Sequence, residues 1–302
     1  MMEWSTRSYA VWAVVALTVA TGAGALVLAA SFAPAASAKS SDHGASFAVR
    51  CDFSHRLPDD PIAYFEDPGD AHSHDFFGNT TTDAFSTYND DPEHGLLGKP
   101  TTCTRPNDTA AYWLPTVSWD GVPLDSNRAV FYYRAGGKDH TKVLAHPAKL
   151  EVVTAPNTHV SWRCGHTDNG GGSQRPPRRC DNGELGVRIV FPDCSNGKHF
   201  SDNHRSHMAY SRKIDGKVRC PKSHPRSVPV LTMNVTFDLP ARPRTGKVTL
   251  SSGGASTMHA DFFNAWDQVA LKSLVKRCIN QVPPSKPRPQ ACRSPRLPDQ
   301  EA

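Results

Sequence analysis

Eight cysteines, at positions 51, 103, 164, 180, 194, 220, 278 and 292, constrain this chain more than any other feature. All of them follow an apolar run, Ala10 to Ala30, which comes after Arg7 and gives way to Ala36-Ser37-Ala38. That pattern reads as a signal peptide cut after Ala38, and an even set of cysteines behind a secretory signal reads as disulfides. The alternative is an uncleaved anchor, because the run is about as long as the roughly 20 residues that span a bilayer. Thr18, Thr21, Gly22 and Gly24 dilute it and favour cleavage. No C-x-x-C pair occurs, so the usual ligand spacing of a thiolate zinc site is missing. Eight cysteines allow too many connectivities to deduce, and nearness in the chain singles out Cys164 with Cys180 and Cys194 with Cys220.

The expected organisation is a signal peptide over 1–38, an N-terminal segment over 39–50, one secreted domain over 51–279 and a Pro/Arg-rich tail over 280–302 held by Cys292. Twenty-five prolines and 21 glycines break the chain into short pieces. Between those breaks, β-rich runs recur at 110–119, 128–134, 149–153, 159–164, 186–191, 228–239 and 247–250. In Leu231-Thr232-Met233-Asn234-Val235-Thr236-Phe237 apolar and polar side chains alternate, the period of a half-buried strand. One helix is predicted from Phe262 to Ile279, on the spacing of Phe263, Trp266, Ala270, Leu274 and Cys278 and the basic end Lys276-Arg277. The predicted fold is therefore mainly β, a single-domain sandwich or jelly-roll-like fold with disulfides, one C-terminal helix and long loops at 165–181 and 193–217.

The formal net charge is +5, partly concentrated in Arg175-Pro176-Pro177-Arg178-Arg179 and the tail. Such a balance suits an acidic polymer or an anionic cell surface. It does not suit nucleic acid, because an exported chain with no recognisable nucleic-acid motif does not interleave its basic residues with aromatics on one element.

The chemistry-bearing side chains gather in three patches, His72-Ser73-His74-Asp75, His204-Arg205-Ser206-His207 and His259-Ala260-Asp261, and the first and last continue into the same Asp-Phe-Phe core. In extended backbone His72 and His74 share a face and Asp75 takes the other, while His259 shares a face with Asp261. Brought together, the patches allow two chemistries. In one, His72, His259 and His204 hold a divalent ion such as zinc that activates water. In the other, His74 and His207 move protons without a metal, with Asp75 or Asp261 orienting an imidazole. Each piece also has a plain structural reading: Asp261 as the N-cap of the predicted helix, Asp75 as a brace for the turn at Gly78-Asn79, and His204 and His207 as exposed loop residues. Arg205 and His224 are candidates for binding a substrate's acidic groups, Trp113 for stacking on a sugar ring, and Tyr210 for a further substrate contact.

The stretches Asp60-Pro61-Ile62, His72-Ser73-His74-Asp75-Phe76-Phe77-Gly78-Asn79, Ala111-Tyr112-Trp113-Leu114-Pro115-Thr116, Phe191-Pro192-Asp193-Cys194, Ser206-His207-Met208-Ala209-Tyr210 and Asp261-Phe262-Phe263-Asn264-Ala265-Trp266-Asp267 together resemble the secreted domain of unknown function numbered nineteen ninety-six. The resemblance runs from about Phe53 to Cys278. It implies an extracellular protein of the kind found in fungi and bacteria, and in fungi the domain often accompanies WSC modules thought to bind carbohydrate. On this basis the chain is expected to be a secreted monomer acting on cell-wall or biomass polysaccharide as a hydrolase or lyase, touching membrane only if the signal segment stays uncleaved. The alternatives are a non-catalytic glycan- or wall-binding protein and a metal-binding surface protein.

Overall fold

The computed structural model describes residues 44–166, 171–240 and 245–294; the expected signal peptide lies outside the described residues. Two five-stranded antiparallel sheets carry the architecture. The first runs in the order Ser46–Cys51, Ser126–Arg134, Val230–Asp238, Glu184–Val190, Val160–Cys164. The second runs Phe53–Leu57, His74–Gly78, Ala111–Pro115, Asp261–Phe263, Glu151–Val153. Alternation along each strand sends one set of side chains into the space between the sheets. Phe47, Phe131, Tyr133 and Met233 enter from the first sheet and Phe77, Tyr112, Leu114 and Phe262 from the second, all fully buried in one apolar core. The sheets meet through aromatic rings: Tyr112 lies 4.0 Å from Phe131, and Phe77 lies 6.4 Å from it. The fold is the mainly β sandwich that the punctuated, alternating sequence predicts.

The second sheet also buries most of its outer face. Phe76, Ala111, Trp113 and Phe263 point away from the main core and are covered by Ile62 and Leu96 from the long excursions that flank the strand His74–Gly78. That strand ends at Gly78, where φ is +82° and an added Cβ would stand 2.6 Å from the Ala110 carbonyl oxygen, so only glycine fits the turn. The outer face is where the candidate site forms.

All eight cysteines are paired: Cys51–Cys103, Cys164–Cys180, Cys194–Cys220 and Cys278–Cys292. The two pairs expected from nearness in sequence are among them. Two boundaries need correcting. Residues 46–51 form an edge strand of the first sheet, so the segment expected over 39–50 is partly core, with Phe47 and Val49 fully buried. The tail is held by more than Cys292: Arg288 Nε donates to Ser46 Oγ (2.9 Å), and Arg105 donates to the carbonyl oxygens of Ala291 (3.0 Å) and Arg293 (2.7 Å).

The helix is shorter than its periodicity predicts. Asp261–Phe263 is a strand paired on both sides, and the helix runs over Gln268–Leu274 before widening into a π-helical segment, Val275–Asn280. Phe263 and Trp266 match the helical spacing by coincidence, because sheet pairing outweighs local propensity at 261–263. The N-cap is Asp267, whose side chain accepts from Ala270 N (2.7 Å), and not Asp261.

Candidate metal centre

Strand period decides which side chains meet. On the outer face of the second sheet His74 lies opposite Pro115, and Asp261 lies between Trp113 and Val153. His72 arrives from the loop just before its strand, His259 from the loop before Asp261, and Asp60 from the excursion that covers the face. The rings of His72 and His74 are 4.2 Å apart, His72 and His259 5.2 Å, and His74 and His259 5.9 Å. One ligand atom from each of these three histidines lies within 4.8 Å of the others, and the same holds for Asp60, His74 and Asp261. His74 belongs to both sets and joins them into one cluster, in which Asp60, His74 and Asp261 are buried and His72 and His259 half-buried.

The hydrogen bonds settle how two of the rings face the centre. His74 Nδ1 donates to the Asp59 carbonyl oxygen and His259 Nδ1 to that of Thr257, each at 2.9 Å, so each ring turns an unprotonated Nε2 toward the cluster. A metal-binding histidine is typically fixed by a backbone or carboxylate acceptor in this way. Nε2 of His74 and of His72 are buried without a hydrogen-bond partner, and so are both carboxylate oxygens of Asp261. His259 Nε2 is 3.8 Å from Asp261 Oδ2. Asp60 commits Oδ1 to the amides of Ile62 (2.9 Å) and Ala63 (3.0 Å).

Electrostatics point the same way. Burial lowers the His72 imidazole to about 4, helped by the charge of His259, and holds His74 well below the ordinary histidine range. His259 is lowered by burial as well. Burial drives Asp261 well above the ordinary carboxylate range, with Asp60 adding to the rise and Arg205 opposing it. Asp60 is also raised by burial. Neutral imidazoles that offer lone pairs, beside carboxylates costly to ionise alone, form a donor set whose deficit is positive charge. A divalent cation of zinc type fits it: imidazole and carboxylate are its usual nitrogen and oxygen ligands.

The remaining expected site residues lie elsewhere. Asp75 faces the opposite side of its strand, paired with Arg56 (2.5 Å) and accepting from Thr116 Oγ1 (2.8 Å), so it neither orients His74 nor braces Gly78-Asn79. His207 is a loop stitch: Nε2 donates to the Glu151 carbonyl oxygen (2.6 Å), and Nδ1 lies 3.0 Å from Ser201 Oγ. With both nitrogens engaged it is not placed to move protons in the cluster. His204 stays outside the ligand set, close enough for its charge to act on Asp60. The charge of Arg205 acts on Asp261 and His259. His224 donates to the Ser206 carbonyl oxygen (2.9 Å). Tyr210 donates to the Val190 carbonyl oxygen (3.0 Å) with its ring against His159. Trp113 is fully buried under the cluster and contacts no exterior ligand.

Two carboxylates in this region were not singled out by sequence reasoning. Asp60 lies in the quoted Asp60-Pro61-Ile62 stretch, but nothing local ties it to histidines beyond it in the chain. Glu151 occupies the first position of the strand Glu151–Val153, and burial followed by the charge of Asp60 raises its carboxyl to about 7. It lines a cleft of about 360 Å³ that begins beside Asp60 at Pro61 and Ile62 and is walled by Phe65, Tyr88 and Phe200. A family model described as Domain of unknown function (DUF1996) matches residues 60–266. No curated protein and no solved structure matches the chain.

Proposed function

For a chain that belongs to the DUF1996 family, function has to be read from the site, and we propose an extracellular metal-dependent enzyme that cleaves polysaccharide by hydrolysis or elimination. The carrying observation is Asp261, a fully buried carboxylate with both oxygens unpartnered, beside His72 and His74, whose Nε2 atoms are likewise buried and unpartnered, with His259 Nε2 3.8 Å away. A carboxylate so placed costs several kcal/mol unless a cation or a proton neutralises it. His72, His74, His259 and Asp261 would hold the ion. Asp60 has one oxygen committed to backbone amides, which favours an open coordination position over a closed structural site.

The chemistry such an ion supplies is a nucleophilic water at neutral pH and polarisation of a substrate oxygen. The chain's own groups do the rest. The Asp59 and Thr257 carbonyl oxygens hold His74 and His259 in the tautomer that presents Nε2. Arg205 sets positive charge beside the cluster, where anionic character develops. Glu151, held near neutrality, can accept or return a proton at the cleft. An open cleft with aromatic walls supports a sugar polymer as substrate. Four disulfides support an extracellular setting, and among the described residues no helix is long and apolar enough to cross a membrane.

Elemental mass spectrometry on the secreted protein tests the site. One divalent ion per chain is expected, lost in His74→Ala and Asp261→Ala and kept in His207→Ala. A panel of polysaccharides should release product with the ion in place and none after chelation. A metal-free protein with its fold intact, or turnover indifferent to chelation, overturns the reading.

A further inference from the structure

The cleft beside the cluster has a definite chemical character. Phe263 stands two residues beyond Asp261 on the same face of the strand, and Glu151 is its direct cross-strand partner. The cleft therefore begins about 7 Å along the strand from the ligand set, at the usual strand rise. Its volume of about 360 Å³ falls in the range of small-molecule sites, roughly 300–1,000 Å³. Phe65 and Phe200 remain 45% and 59% exposed in its wall, a placement that leaves water on two aromatic rings unless something covers them. Tyr88 completes the wall, with Lys149 Nζ 5.7 Å from its ring centre. A pyranose suits such a wall, because its C–H face packs on aromatic rings while its hydroxyls reach polar groups at the edge.

The charge around the cleft narrows the sugar further. The ammonium of Lys149 is already paired with Asp90 (2.6 Å), whereas Glu151, with its carboxyl raised to about 7 and so in part negatively charged at neutral pH, has no ion-pair partner among the described residues. A ring bearing a carboxylate or sulfate would meet like charge there. The chain's net charge of +5 suggests an acidic polymer, and the local lining argues against one.

We infer that this cleft is a subsite for one uncharged pyranose ring, seated next to the His/Asp cluster. The inference rests on the reading of that cluster as the reacting centre and adds the substrate class: neutral glycans, not uronates. Of the two proposed reactions it keeps hydrolysis, because elimination needs the acidic C–H beside a uronate carboxyl group. Its test uses the full secreted chain and calorimetric titration with cellohexaose, xylohexaose, mannohexaose and hexagalacturonate. At least one uncharged hexamer should bind, at least tenfold more tightly than hexagalacturonate. Phe65→Ala and Phe200→Ala remove exposed side chains, so folding is unaffected, and each should weaken that binding by about tenfold. The subsite is overturned by preference for hexagalacturonate, by unchanged affinity in both variants, or by no binding of any hexamer. Metal content is read on the same samples. A metal-free wild type that still binds a neutral hexamer overturns the proposed chemistry and leaves the subsite standing; a metal-loaded wild type that binds none overturns the subsite alone.

Discussion

Asp75 and Asp261 open the same Asp-Phe-Phe triplet, yet one is structural and the other faces the histidines. Both triplets are strands flanking Ala111–Pro115, but in opposite phase: Asp75 lies opposite Leu114 on the inner face, Asp261 opposite Trp113 on the outer. Arg56 neutralises Asp75, whereas among the described residues Asp261 has no lysine or arginine in ion-pair contact, only His259 Nε2 at 3.8 Å. Arg56→Ala should therefore cost about 3 kcal/mol in denaturant unfolding, since it leaves a buried carboxylate without its ion pair, and should leave metal content unchanged. A second residue-scale prediction concerns His146, which is fully enclosed between Tyr133 and Phe262 and lowered to about 3 by burial, with Lys138 adding to the shift. Its folded pKa is below the unfolded value of 6.5, so the unfolded chain binds the extra proton. Its contribution is complete above about pH 6.5 and is lost as pH falls toward 3, on the order of 5 kcal/mol in all. Stability measured against pH should show this loss, and His146→Phe should flatten that part of the slope.

At the scale of elements, the short helix depends on its cap more than on its length. Seven residues give little intrinsic helicity, so the side chain of Asp267 on Ala270 N and the burial of Leu271 and Leu274 must hold it. Asp267→Ala should lower stability by about 1 kcal/mol. Asp261→Asn should do the reverse in metal-free protein, raising its melting temperature because a buried unpaired carboxylate is replaced by a neutral amide. It should also abolish any stabilisation by added divalent ion. Opposite signs at Asp267 and Asp261 would confirm which aspartate is the cap.

Across the whole molecule, the disulfides tie peripheral segments to the sandwich. Cys51–Cys103 closes a loop with a sequence separation of 52 and Cys278–Cys292 one of 14. Constraint of the unfolded chain grows slowly with loop length, so replacing the first pair by alanines should cost about 4 kcal/mol and the second about 3. The second replacement should also free the tail held on Ser46 and Arg105, detectable as faster amide exchange in the strand Ser46–Cys51.

Local signals were enough to read the disulfide-bonded β class, because alternation, proline and glycine act over a few residues and cysteine parity needs no structure. They also set His72 and His74 two residues apart, and the rings do meet at 4.2 Å, although His72 lies in the loop before the strand and strand period does not place it. Local signals could not assign Asp75, whose partner Arg56 comes from the neighbouring strand, or His207, whose acceptor is the backbone of Glu151. The recruitment of Asp60, the phase of the second Asp-Phe-Phe triplet and the cleft ending at Glu151 were equally out of reach. These are matters of register between strands far apart in sequence, and register is set by which faces pack against the core. The sequence alone determined which groups were available for chemistry; the pairing of the second sheet decided which of them meet.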